Sequence, residues 1–114
     1  MQIIKLDATQ STNTYLKDLS FKRELGDFTV VTTKNQTSGR GQLNAKWESE
    51  PGKNLAFSIL KKNLDIPIQR VFLVSVCVSL AIIESLKDFD IPDLSIKWPN
   101  DILSGNYKIG GILI

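Results

Sequence analysis

Apolar and polar positions along the first half of the chain alternate with two periods. Three short segments rich in β-branched and apolar residues are typical of strands: residues 2–6, 28–33 and 54–60. Tyr15, Leu16 and Leu19 recur at helical spacing after a Ser-Thr-Asn triplet, so a helix is predicted to begin near Ser11. The triplet is most simply a helix cap, although the amides of a helix N-terminus can also bind a ligand.

The second half contains the longest apolar stretch, 13 residues at positions 71–83. A buried helix is predicted over residues 68–87, because Pro67 precedes the stretch and a membrane span needs about 20 apolar residues. Cys77 lies within it and is expected to pack as a small apolar side chain, with no disulfide. Residues 94–98 and 107–114 are predicted strands joined by a turn at 104–106. The alternation indicates an α/β chain.

Composition narrows the chemistry. The 114 residues fit one domain, and a net charge of +2 is too small for a nucleic-acid or membrane-surface partner. Histidine is absent, which excludes Ser-His-Asp, Cys-His and histidine-based metal sites. Activation of a carboxylic acid by ATP fits this inventory, because the substrate carboxylate is the nucleophile and the protein supplies positioning and charge. Neither an export signal nor a disulfide framework is evident, so a cytoplasmic location is expected.

The predicted strand at 28–33 leads into a loop at residues 36–47 that contains a candidate ligand-binding motif. Gly39 and Gly41 flank Arg40, so the backbone can approach a ligand closely beside a planar cation suited to a carboxylate or phosphate. Trp47 offers a flat face on which a ring could stack. A solvated basic turn is the plain alternative.

The later motifs also have plain structural interpretations. Asn100 and Asp101 are ordinary turn formers after the proline at 99, and Lys108 could be a solvated side chain on a hairpin. The two glycines at 110–111 could mark a β-bulge. Trp98, in a strand-like segment, is expected to be a core residue.

The conjunction of these motifs carries more information than any one of them. Five motifs occur in the order and at the spacing found in one known family: Ser-Thr-Asn at 11–13, Gln-x-x-Gly-Arg-Gly at 36–41, Trp47, Lys-Trp-Pro-Asn-Asp at 97–101 and Lys-x-x-Gly-Ile-Leu at 108–113. Over nearly all of its length the chain thus resembles the catalytic domain of biotin-protein ligases. That resemblance implies an α/β domain of α+β type, with a mixed β-sheet and packed helices. It also implies synthesis of biotinyl-5′-AMP from biotin and ATP with Mg²⁺, then transfer of biotin to a lysine of a biotin carboxyl carrier domain.

The resemblance also assigns roles to individual residues. The implied biotin-binding residues are Ser11, Thr12, Asn13, Gln36, Gly39, Arg40, Gly41, Gly110 and Gly111. The implied ATP-binding residues are Arg40, Gln42, Trp47, Asn100 and Lys108. Arg40 and Lys108 would be catalytic, bridging the biotin carboxylate and the α-phosphate while the mixed anhydride forms. Asp101 would lie near the Mg²⁺ ion or the incoming lysine.

The chain departs from the family pattern in two ways. Family members often read Gly-Arg-Gly-Arg-x-Gly-Arg, whereas Gln42, Leu43, Asn44 and Ala45 follow Gly41 here, so weaker retention of the adenylate is expected. By the resemblance, residues 1–114 are expected to be the N-terminal portion of the family's catalytic domain, without a helix-turn-helix domain and without the C-terminal part. A homo-oligomer, or a chain that supplies the missing half, is therefore an expected partner.

Two alternative functions remain open at this point. A lipoate ligase or octanoyltransferase is a related acyl-transfer enzyme, but it lacks this combination of motifs. A non-catalytic biotin-binding fragment is the alternative from a different class of protein.

Overall fold

In the computed structural model, which describes residues 1–114, strands outnumber helices and the two kinds of element alternate early in the chain. The elements are β1 (Ile3–Thr9), α1 (Thr12–Lys22), β2 (Thr29–Gln36), β3 (Gly39–Arg40), β4 (Lys46–Trp47), β5 (Ala56–Leu60), α2 (Val71–Leu86), β6 (Leu94–Lys97), β7 (Asp101–Ser104) and β8 (Tyr107–Gly111). They fall into two units, Met1–Leu64 and Asp65–Ile114.

A mixed three-stranded sheet forms the first unit, in the order β1-β2-β5. β1 and β2 are parallel and are connected through α1, while β5 is antiparallel to β2. Leu16, Leu25 and Val31 make the buried core between α1 and the sheet. Partly buried side chains surround it: Ile4, Leu6, Tyr15, Leu19 and Leu60. The mixed sheet with a packed helix is the architecture predicted from the resemblance.

Helix α1 begins where the sequence predicted. Ser11 is the N-cap, with extended backbone and a side-chain oxygen that accepts a hydrogen bond from the Thr14 N–H at 3.3 Å. The helix ends at Arg23, whose extended backbone donates its N–H to the Leu19 carbonyl. The cap thus fixes where the helix starts.

The segment at residues 36–47, predicted as a loop, is partly regular. β3 and β4 are short antiparallel strands in which Gly39 pairs with Trp47 and Arg40 with Lys46. A 3₁₀ turn over Gln42–Asn44 joins them. Strands of two residues are too short to show any apolar alternation, which is why the sequence pattern did not reveal them.

An antiparallel sheet in the order β6-β7-β8 belongs to the second unit. β7 is a correction, because the sequence predicted one turn between the strands at 94–98 and 107–114. The expected turn at 104–106 instead connects β7 to β8, with Gly105 at a φ of +57°. The register passes from Ile102 opposite Gly110 to Leu103 opposite Lys108, so Ile109 is an extra residue. The expected bulge therefore lies one residue before the glycine pair.

Helix α2 occupies Val71–Leu86 after a 3₁₀ turn, close to the predicted bounds, but it is not the buried helix that was expected. Ser75 and Ser79 are its buried residues, whereas Phe72 and Leu80 are exposed. The Ser79 hydroxyl donates to the Ser75 carbonyl at 2.7 Å, which satisfies it inside its own helix. The small serine side chains, and not the large apolar ones, are therefore in the closest packing.

Residues Ile68–Leu86 have a mean hydropathy of 1.7 and would be long and apolar enough to cross a membrane by length and composition alone. One such helix is weak evidence for a membrane protein, because core helices of soluble proteins can be equally long and apolar.

Two residues expected to be packed are exposed. Cys77 is a free, exposed thiol and not a packed one. Trp98 is also exposed, in edge-to-face contact with Phe72 at 5.9 Å between ring centroids, so its expected core position is wrong.

We expect the Asp27 carboxylate to make the stability of the first unit depend on pH. The hydrogen bond from Lys61 Nζ at 2.6 Å, reinforced by the Lys62 backbone N–H, lowers the pKa of Asp27 below its ordinary value near 3.8. A lowered folded-state pKa stabilises the fold above the unfolded pKa, and this stabilisation is lost as pH falls through the folded pKa. Asp27→Asn should therefore be less stable than the wild type in urea unfolding at pH 7, and the difference should vanish in strong acid.

Asp7→Asn is the matched control, because Asp7 is almost fully exposed and its ion pair with Lys34 is 3.5 Å long. It should unfold like the wild type at every pH. A constant difference between Asp27→Asn and the wild type from pH 7 to pH 2 would contradict the assignment.

Candidate functional site

The carboxyl ends of β1 and β2 meet at one edge of the first sheet, and polar residues follow both strands. Thr9 lies opposite Gln36, and the pairing continues beyond the strands because the Ser38 N–H donates to the Gln10 carbonyl at 2.8 Å. A cavity of about 320 Å³ opens at this edge, lined by Gln10, Ser11, Thr14, Ser38 and Arg40. That volume is at the lower end of the range for small-molecule sites, which often lie at the ends of parallel strands.

A hydrogen-bond network fixes the Gln36 carboxamide beside this cavity. Its Oε1 atom accepts from the Thr12 backbone N–H at 2.9 Å and from the Thr12 hydroxyl at 3.3 Å. The Thr12 hydroxyl also pairs with the Ser58 hydroxyl of β5 at 2.8 Å. Two donors to Oε1 define which end of the carboxamide is oxygen, so the NH₂ group points the other way. Ser11 and Thr12 are both buried, and the arrangement is a rigid, uncharged polar wall.

Gly39 closes this wall because nothing larger fits there. A Cβ atom at residue 39 would lie 2.6 Å from Gln36 Nε2 and 2.6 Å from the Trp47 carbonyl oxygen. The sequence analysis attributed the glycines around Arg40 to close approach of a ligand. The structure shows that Gly39 permits close approach of the chain itself, which brings β4 and the Gln36 amide together.

Arg40 supplies the cation of the cavity. Its guanidinium Nη2 donates to the Thr14 hydroxyl in the first turn of α1 at 2.7 Å, and the side chain is exposed. A guanidinium carries five N–H donors in one plane, so this contact leaves donors for a carboxylate or phosphate. The site of the first unit thus combines a neutral polar wall with one positive group at its mouth.

The remaining predicted residues of the first unit lie near this site with different exposures. Trp47 is half-buried on β4 opposite Gly39. Gln42 is exposed in the 3₁₀ turn after Gly41, and Asn13 is exposed at the start of α1. Their roles toward a ligand stay predictions.

In the second unit, Lys108 of β8 and Asp101 of β7 form an ion pair. Lys108 Nζ lies 2.9 Å from Asp101 Oδ1, an oxygen that is shielded from solvent and accepts no well-aligned hydrogen bond. The Asp101 side chain is 19 % exposed, so its charge is partly desolvated and needs the lysine as counter-ion. Lys108 is thus held in one place and is not the freely solvated side chain of the plain interpretation.

Asn100 precedes β7 and is bound to the segment after β8. Its Nδ2 atom donates to the Ile112 carbonyl at 3.1 Å, and the Ile112 N–H donates to the Asn100 carbonyl at 2.9 Å. Gly110 lies opposite Ile102 and Gly111 opposite Asp101. The second unit therefore brings its predicted site residues together around the β7–β8 pairing.

Carboxylates do not gather into a metal site. No group of three or more His, Cys, Asp or Glu side chains is close enough to hold a metal ion anywhere in residues 1–114. Asp101 is engaged with Lys108. Its place near a Mg²⁺ ion stays a prediction, and the donor set does not form a resident metal site.

Four residues of the first unit were not predicted: Gln10, Thr14, Ser38 and Ser58. Thr14 follows Ser11 by three residues and so lies on the same face of α1, a spacing that could have indicated it. Ser58 lies on the inward-facing side of β5, between two half-buried apolar residues of the same face. A polar side chain at such a position is the only local signal for it. Gln10 and Ser38 carry no such signal beyond following a strand.

Comparisons with known proteins agree with these features. The model of the biotin/lipoate A/B protein ligase family matches residues 6–114. The chain is 30% identical over 111 residues to the bifunctional ligase/repressor BirA of Bacillus spizizenii, covering 97% of this chain and 34% of that protein. The biotin acetyl coenzyme A carboxylase synthetase of Helicobacter pylori, solved with biotinylated ATP, superposes with a TM-score of 0.76 at 30% identity, covering 98% of this chain and 53% of that one.

A second solved structure gives the same result. The biotin protein ligase of Aquifex aeolicus, in complex with biotin and ATP, superposes with a TM-score of 0.70 at 32% identity, covering 98% of this chain and 45% of that one. The chain thus spans about a third of the curated relative and about half of each solved structure.

We expect Gly39→Ala to open the β3–β4 pair. The new Cβ would meet a backbone oxygen that cannot rotate away, and overpacking of this kind typically destabilises by about 1–3 kcal/mol. Limited proteolysis between residues 42 and 45 should be faster than in the wild type. Gly41→Ala is the matched control, because a Cβ there would lie 3.5 Å from the Ala45 Cβ, an ordinary contact. Equal cleavage rates in all three proteins would show that Gly39 is not required for the pairing.

Proposed function

Because this chain belongs to the biotin/lipoate A/B protein ligase family, we propose that it acts in ATP-dependent attachment of biotin to protein. A carboxylate oxygen of biotin attacks the α-phosphorus of ATP and pyrophosphate leaves, giving biotinyl-5′-AMP. The amine of an acceptor lysine then attacks the acyl carbon and AMP leaves. Both steps require positioned reactants and charge stabilisation and no protein nucleophile, in keeping with a chain without histidine.

The neutral wall beside Arg40 is the observation that carries this proposal. The ureido ring of biotin presents one carbonyl and two N–H groups without charge. The Ser11 hydroxyl, which lines the cavity, and the Gln36 NH₂ group are proposed to pair with it, while Thr12 holds the Gln36 carboxamide in place. A ligand lacking those groups would gain no hydrogen bond from the Ser11 hydroxyl or the Gln36 NH₂ group, and it should therefore bind more weakly. Arg40 would meet the carboxylate at the other end of the ligand.

Lys108 is proposed to stabilise phosphate charge during adenylation. Its ammonium is a point charge held by Asp101 at 2.9 Å, so it is in place before a ligand arrives. Preorganised charge of this kind stabilises a transition state because it needs no rearrangement while charge develops. Asp101 would keep the lysine in position, in addition to its predicted place near the metal or the acceptor amine.

ATP is proposed to bring its own Mg²⁺ on the phosphates, since this ion is usually held by one or two carboxylates and the nucleotide itself. Trp47, Gln42 and Asn100 remain the proposed nucleotide contacts, with Trp47 offering a ring face for adenine. The Asn100 amide NH₂ already donates to Ile112, so its carbonyl oxygen is the group proposed to face a ligand.

The acceptor is proposed to be a lysine of a biotin carboxyl carrier domain, and the reaction is proposed to occur in the cytoplasm. A lipoate-specific enzyme is the second candidate, because the matching family model covers biotin and lipoate ligases together. The buried polar wall favours biotin, since the dithiolane ring of lipoate offers no N–H or carbonyl group to pair with it.

Equilibrium binding of biotin, with and without ATP and Mg²⁺, should test the proposal directly. Biotin should bind the 114-residue chain, lipoate should bind more weakly by tenfold or more, and pyrophosphate should be released only when biotin and ATP are both present. Biotin binding without pyrophosphate release would instead support a non-catalytic biotin-binding module. A preference for lipoate, or the absence of biotin binding, would refute the proposal.

Replacing Lys108 by Ala should slow pyrophosphate release by about a hundredfold or more, because loss of one preorganised charge commonly costs about 3 kcal/mol in the transition state. Biotin binding should change far less. Lys87→Ala is the matched control, since Lys87 pairs with Glu84 on the surface of the same unit. If Lys108→Ala and Lys87→Ala release pyrophosphate at the same rate and both keep the wild-type unfolding temperature, Lys108 has no role in adenylation.

A further inference from the structure

Arg40 is held by a residue to which no role has been assigned. Its Nη2 atom donates to the Thr14 hydroxyl at 2.7 Å, across 26 positions of sequence. Arg40 comes from β3 and Thr14 from the first turn of α1, and both line the same cavity. The contact therefore connects the one cation that lines this cavity to the first turn of α1.

Thr14 is a fixed acceptor. Its backbone N–H donates to the side chain of the buried N-cap Ser11 at 3.3 Å, which locks the first turn of α1. A threonine side chain in a helix is limited to two main χ1 rotamers, far fewer than an arginine side chain has. The hydroxyl therefore has few alternative positions, and the longer arginine side chain adjusts to it.

We propose that Thr14 is a positioning residue that holds the Arg40 guanidinium at the mouth of the cavity before substrate binds. The ligand that Arg40 meets is taken from the proposed function, namely the biotin carboxylate. An exposed arginine samples many rotamers, and fixing it on a ligand loses that freedom. Holding it in advance reduces this loss, so the ligand binds more tightly without any new contact.

Stabilisation of the fold is the competing role for this contact, and it is weak. The hydrogen bond is exposed, and exposed polar contacts contribute little to folding free energy. A fold-stabilising contact would change the unfolding temperature and would act regardless of what residue 40 is. A positioning contact changes ligand affinity only while Arg40 is present.

Four variants separate these roles: Thr14→Val, Thr14→Ser, Ser20→Ala and Arg40→Ala. Thr14→Val keeps the shape but removes the acceptor, and it should weaken biotin binding in calorimetry by about three- to tenfold. Thr14→Ser should restore affinity to within about twofold of wild type. Ser20→Ala removes a hydroxyl that bonds only to the Lys17 carbonyl of the same helix, and it should bind like the wild type. All four should unfold at the wild-type temperature.

A double-mutant cycle makes the test specific. Thr14→Val should have no further effect on affinity in an Arg40→Ala background, because the two residues act as one unit. Equal losses in the two backgrounds would overturn the proposal. Unchanged or tighter biotin binding by Thr14→Val would also overturn it, the latter by showing that Thr14 holds Arg40 away from the ligand.

A measurement without ligand keeps the proposal separate from the proposed function. The chain has three arginines, at positions 23, 40 and 70, so the side-chain Nε–H signal of Arg40 can be assigned in ¹⁵N NMR by comparison with Arg40→Lys. Its relaxation should show a restrained group in the wild type and a mobile one in Thr14→Val. If the wild type binds no biotin, the proposed function fails, and this arm alone decides whether Thr14 positions Arg40. A mobile Arg40 signal in the wild type overturns the positioning role.

Discussion

The hydrogen bond from the Thr12 N–H to Gln36 Oε1 is the contact on which the site of the first unit depends. It joins the first turn of α1 to the last residue of β2, and so connects two elements that the chain reaches 24 positions apart. Parallel pairing of β1 and β2 would bring the strand ends together without it, but the carboxamide could then rotate. With it, Nε2 is directed at Gly39, which has no Cβ to obstruct the approach. The Gln36 oxygen and the Thr12 hydroxyl are satisfied within this partly buried network, which holds the carboxamide in one orientation.

Small polar residues make the closest contacts in several elements of this chain. Thr29 and Ser79 are almost completely inaccessible to solvent, and each donates its hydroxyl to a nearby backbone carbonyl at 2.7 Å. Large apolar residues such as Phe57 and Phe72 remain exposed on the same units. Hydroxyls that are satisfied locally can be buried at little cost, and their size lets backbones come close. The apolar pattern therefore located the longer elements but does not tell which face of each is covered.

The sequence predicted the elements that depend on local signals. The Ser11 cap defines the start of α1, and the β-branched run at 28–33 forms most of β2. β7 was missed because its four residues lie between two turn-forming segments and look like part of one turn. The biotin-binding residues implied in the first unit, from Ser11 to Arg40, do lie together, since the motif spacing reflects a shared edge of the sheet. The contacts of Thr14 and Ser58 could not be predicted, because hydrogen bonds between side chains 26 and 46 positions apart leave no periodic trace.

Charge in the site of the first unit is concentrated on one side chain. The turn after Gly41 carries Gln42 and Ala45 at the two positions where the family pattern quoted in the sequence analysis has further arginines. With several guanidiniums, an imperfectly placed one can be compensated by its neighbours. With one, the orientation of that guanidinium decides how well a carboxylate is neutralised, since bidentate pairing requires both the plane and the distance to be correct. The reduced number of arginines thus increases the importance of whatever holds Arg40, and the structure supplies that contact from the capped first turn of α1.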